Sequence, residues 1–126
     1  MTGLVSYLLV MIAAFCNAVM DTCAHHYISS IFSNEKIFNP NFWNGSISWR
    51  NKYIDYNKPE LGYKKLFWII PYPVQLTDSW HLFKTIMIFS IIGAVVLYQP
   101  IFGIWDYVIL GCLWNVTFTF FYKIIF

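Results

Sequence analysis

The stretch MTGLVSYLLVMIAAFCNAVMDTCAHHY, residues 1–27, decides the fold. From Met1 to Met20 it carries no charged side chain, and as an α-helix rising ~1.5 Å per residue the run through Tyr27 spans the ~30 Å hydrocarbon layer of a bilayer. Backbone in lipid must satisfy its hydrogen bonds within the segment, so the run predicts a membrane-spanning helix over about 3–27. It opens without Lys or Arg, and Phe15 stands before Cys16 where a lipoprotein signal needs a small residue. A retained helix is therefore expected, not a cleaved leader.

Two further apolar runs complete the set. The second, about 78–98, begins after Thr77 and Asp78, either of which suits an N-cap, and is ended by Pro100, which cannot continue a helix. The third, about 102–125, has Asp106 near its start and Lys123 near its end, with sixteen uncharged residues between them. Both ends can snorkel, and Asp106 reads as a first-turn carboxylate favoured by the helix dipole. Gln99 to Gly103 leaves only a tight turn, so the last two helices should form an antiparallel hairpin. The expected fold is an all-α membrane protein, a bundle of three transmembrane helices in one integral domain over 1–126.

Composition agrees. Apolar residues make up 59% of the 126, charged residues 11%, and mean hydropathy is +0.56, whereas soluble domains carry about a quarter charged residues. A net charge of +2 gives no basic stripe for nucleic acid, so the expected partners are membrane lipids. The segment 28–76, between the first two helices, holds Lys36, Arg50, Lys52, Lys58, Lys64 and Lys65, six of the chain's eight basic residues. The positive-inside tendency puts this loop in the cytoplasm and the amino terminus outside, with a bacterial inner membrane as the expected location. Phe32, Phe38, Phe42, Trp43, Trp49, Tyr53, Phe67 and Trp68 give the loop too much aromatic area to stay solvated, so it should fold as a lid on the membrane surface or the bundle. Asn39-Pro40-Asn41 and Asn44-Gly45 read as turns, and Leu66 to Ile70 as a short apolar insertion.

The chemistry concentrates at the helix ends that border this loop. Asn17, Asp21 and His25 are spaced four and four, one stripe on a helix, with His26 rotated about 100° away. Asp78 and His81, three apart, share a face at the start of the second helix. Topology brings both pairs to the same membrane face. Asp21, His25, Asp78 and His81 are donors of the kind that bind zinc or iron, and a metal-activated water there would hydrolyse a lipid-like substrate. Asn17, His26 and Lys84 would then support the ligands or meet the substrate. The second class is non-enzymatic: a pore-forming or assembly protein, a homo-oligomer or a subunit of a membrane complex, in which Asp78 caps a helix and the other groups are polar clasps. Cys16, Cys23 and Cys112 form no paired motif and read as small apolar residues.

Three strings carry a resemblance: Met20-Asp21-Thr22-Cys23-Ala24-His25-His26, Ser48-Trp49-Arg50-Asn51-Lys52-Tyr53 with Phe42-Trp43 before it, and Thr77-Asp78-Ser79-Trp80-His81-Leu82-Phe83-Lys84. They resemble a group of small three-helix membrane proteins of bacteria and their phages, a likeness that implies no activity. It would add 48–53 to the site, with Arg50 and Lys52 as anion or headgroup contacts. The chain is also weakly similar to the alkaline ceramidase superfamily, which binds zinc through helix-borne Asp and His. That family has seven helices and three metal histidines, so the likeness implies only part of its ligand set.

Overall fold

The computed structural model describes residues 2–126, and Met1, the first residue of the leading apolar run, lies outside them. Contacts divide the chain into two compact units, Met1–Asp21 with Phe83–Phe126, and Thr22–Leu82.

The long helices are α1 (Thr2–His25), α4 (Ser79–Val96) and α5 (Trp105–Phe120), the last continued by one π-helical turn, Phe121–Ile125. Their apolar spans, Gly3–His25, Ser79–Val96 and Trp105–Ile125, are 23, 18 and 21 residues, each long and apolar enough to cross a membrane. α1 stops at His25, short of the expected residue 27, because residues Tyr27–Ser29 tighten into a 3₁₀ turn. The turn between α4 and α5 runs over 97–104, wider than the expected 99–103, with Gly103 left-handed at φ 65°.

In the first unit α1 supplies the small side chains. Ala13, Ala14, Cys16, Ala18 and Val19 are fully buried, and small residues let helices approach closely where lipid offers no hydrophobic drive. The approach is tight at two glycines. A Cβ on Gly3 would sit 2.9 Å from Ile101 Cγ1 and 3.0 Å from the Gln99 carbonyl, and one on Gly93 would sit 3.1 Å from Leu9. Phe15 meets Phe83, Phe121 and Phe126 at ring separations of 6.1, 4.8 and 5.9 Å. The outward faces of α4 and α5 present Phe89, Val95 and Val116, which suit lipid.

The second unit is the aromatic segment, and it is ordered by short-range chemistry. Single helical turns α2 (Pro40–Trp43) and α3 (Gly45–Ser48) each start at an asparagine: the Asn39 and Asn44 side chains accept from the N–H of Asn41 and Ser46, both at 3.0 Å. The sequence signals read above as turns are thus the caps of these helices. Trp43 stacks on buried Phe32 at 4.7 Å, with Phe38 edge-on to both rings. The Asn51 amide donates to the carbonyls of Asn41 and Thr77, which ties α2 to the approach of α4.

The all-α expectation gives way at 65–71. Strands β1 (Lys65–Leu66) and β2 (Ile70–Pro71) pair antiparallel, Leu66 opposite Ile70. The Ile69 N–H donates to the Leu66 carbonyl at 3.2 Å across a turn whose central residues, Phe67 and Trp68, have φ 51° and 67°. That is the handedness of a type I′ turn, where Asn-Gly is the usual pair, and a non-glycine residue there costs of order 1–3 kcal/mol.

Candidate functional site

Two polar centres stand out, one in each unit. In the second unit, Asp78 immediately precedes α4 and is only 2% exposed. Its Oδ1 accepts the His81 backbone N–H at 2.9 Å, the bond of an N-cap. The His81 ring folds back on the same carboxylate, with Nδ1 2.9 Å from Oδ1 and 2.7 Å from Oδ2. Thr77 Oγ1 lies 2.7 Å from the Val74 carbonyl and 3.0 Å from Asp78 Oδ2, so its single proton is shared between them. Three-residue spacing on a helix start makes the cap and the imidazole contact one motif, and an ionised Asp78, which can only accept, pairs with a His81 that carries a proton on Nδ1. Asp78 and His81 line a cavity of 220 Å³ with Gly45, Ser46, Ser48 and Trp49.

The other two proposed ligands lie on α1. His25 is exposed at the end of α1 and lines a separate 250 Å³ cavity with His26 and Ser46. Asp21 and Asn17 are half-buried on α1 and belong to the first unit. Among the described residues, no three His, Cys, Asp or Glu side chains are grouped to hold a metal ion. Of the four, the structure brings Asp78 and His81 into direct contact. Lys84 is exposed on α4. Arg50 lies over the rings of Tyr56 and Trp49 at 4.7 and 5.7 Å, and Lys52 over Tyr53 and Tyr63 at 5.3 and 5.9 Å, so both cations are braced by aromatic faces. Arg50 also lines a polar cavity of 520 Å³ with Asn41, Asn51, Asp55 and Lys64.

The second centre is Asp106, in the first unit. It does stand in the first turn of α5, but it is 1% exposed and holds far more than a helix dipole. Oδ1 accepts from the Tyr7 hydroxyl at 2.5 Å and the Phe102 N–H at 3.0 Å, and Oδ2 from the Tyr98 hydroxyl at 2.8 Å and the Ile101 N–H at 2.9 Å. Two donors per oxygen satisfy the carboxylate fully and close the α4–α5 turn onto the start of α1. The bond to Asp106, with desolvation behind it, pushes the Tyr98 phenol above the usual tyrosine range. Sequence spacing could not reveal this centre, because Tyr7 and Asp106 are 99 residues apart. The available hint was hydroxyl-bearing aromatics at the ends of two apolar runs.

No family model, curated protein or solved structure matches this chain.

Proposed function

We propose that this is a small integral membrane protein of structural role, a subunit or assembly element, in which three spanning helices form a bundle and the Thr22–Leu82 unit forms a platform at headgroup level. In this reading the carboxylates are caps and clasps. The observation that carries it is the occupancy of Asp78. One oxygen takes the helix-capping N–H, both take the His81 ring N–H, and the Thr77 hydroxyl stands at the second, so the side chain is already employed in holding the start of α4. Asp106 is used in the same way at the other centre. The test is metal analysis and thermal unfolding of the detergent-purified chain. Folded, metal-free protein in which Asp78→Asn lowers stability while His25→Ala does not supports the structural role. Stoichiometric zinc or iron, lost in His25→Ala and in His81→Ala with the fold intact, sinks it.

One observation favours a second reading, hydrolysis of a lipid-like substrate. A carboxylate that orients an imidazole beside a cavity is the usual way to prepare a general base, and Asp78 does this to His81 at the edge of the 220 Å³ cavity that includes Ser46 and Ser48. In the metal-dependent form Asp21 and His25 would join Asp78 and His81 as ligands to zinc or iron. Turnover of ester-containing phospholipid by the reconstituted protein, abolished in His81→Gln, would establish it.

A further inference from the structure

The 65–71 hairpin combines features that a water-facing turn would not retain. Phe67, Trp68 and Ile69 at its tip are 82, 94 and 83% exposed, three consecutive large apolar side chains. Two of the three sit in left-handed backbone where glycine or asparagine is the ordinary choice. Beside the tip is an open groove of 630 Å³ lined by Ile54, Leu61, Leu66, Trp68 and Tyr72 together with Lys64 and Lys65. Both lysines are exposed. Seven residues separate Pro71 from Ser79, the first residue of a helix long and apolar enough to span a membrane, so the tether is at most about 30 Å of chain.

We propose that this hairpin is an anionic-lipid anchor: Phe67, Trp68 and Ile69 enter the boundary between headgroups and acyl chains, the groove takes an acyl chain, and Lys64 and Lys65 meet the phosphates. An apolar tip and an apolar groove beside two exposed cations supply what an anionic leaflet offers partners for, acyl chains and phosphates. Aromatic rings favour that depth because one side is apolar and the other wet. The inference rests on the chain spanning a membrane, which retention in the membrane pellet after alkaline extraction tests by itself.

The experiment uses the full chain reconstituted into phosphatidylcholine vesicles, with and without phosphatidylglycerol, whose acyl chains are brominated close to the glycerol. Subtracting the Trp68→Phe protein isolates the emission of Trp68 from that of the other tryptophans. The expected result is quenching of the Trp68 component by roughly twofold in anionic vesicles, and loss of the difference between anionic and neutral vesicles in Lys64→Gln/Lys65→Gln. A Trp68 component quenched by aqueous acrylamide and indifferent to brominated lipid overturns the anchor. Equal quenching in both lipids, unchanged by the lysine substitutions, overturns the anionic recognition. A chain released by alkaline extraction would instead overturn the spanning reading on which the anchor rests.

Discussion

Asp106 gathers two phenols and two backbone N–H groups, so its loss leaves four donors without their acceptor in a place water does not reach easily. Asp106→Ala should destabilise the protein, and Tyr7→Phe should do so to a smaller extent, read from thermal or denaturant unfolding in detergent. The Tyr98 phenol is raised, so its contribution is fully present below the unfolded tyrosine value of about 10 and is lost as pH rises through the higher folded value. Tyrosinate absorbance should accordingly lose a component that titrates above the usual tyrosine range in Tyr98→Phe. Asp78→Ala removes a cap and the orienting partner of His81, a cost of about 1–3 kcal/mol in the same unfolding measurement. These two aspartates show how far a sequence can be read at this scale. Asp78 is legible because its partners lie within three residues, where helix geometry alone dictates contact. Asp106 is not, because its deepest partner comes from the other end of the chain.

At the scale of elements, apolar length and charge spacing suffice for α1, α4 and α5, since lipid allows a long uncharged run few alternatives to helix. The intervening segment is harder because each of its elements is one or two hydrogen bonds long. Asn39 and Asn44 were visible as punctuation, but the same asparagine chemistry serves a turn or a helix cap, and only the following residues' backbone decides. The hairpin was hidden for a different reason: Phe67 and Trp68 are poor residues for the turn they occupy. Phe67→Gly should therefore raise stability in detergent by about 1 kcal/mol, a gain in the unfolding midpoint that a strain-free turn would not give. Close approach works in the opposite direction at Gly45, where an added Cβ would stand 2.8 Å from the Cys23 carbonyl. Gly45→Ala should cost about 1–3 kcal/mol, with heightened protease cleavage in the Thr22–Leu82 unit as its local signature.

For the molecule as a whole, three helices are long and apolar enough to cross a membrane, and in the proposed reading, where all three cross, the 28–76 segment lies on one side. The basic excess of that segment predicts the cytoplasmic side, so a thiol-reactive, membrane-impermeant label on Ser46→Cys should react in inverted vesicles and remain silent in intact cells. Labelling of intact cells would reverse the orientation. The broad class was legible from composition, because only a bilayer tolerates so few charges with so much exposed apolar surface. How the spans are fastened was not, and that fastening also sets an order of events. Tyr7 precedes Asp106 by 99 residues, so during synthesis its hydroxyl is made well before the carboxylate that accepts it. During that interval water or lipid headgroups can bond the hydroxyl near the helix end, and the carboxylate later takes their place. A chain shortened before residue 106 therefore lacks the group that fastens the start of α1 to the α4–α5 turn.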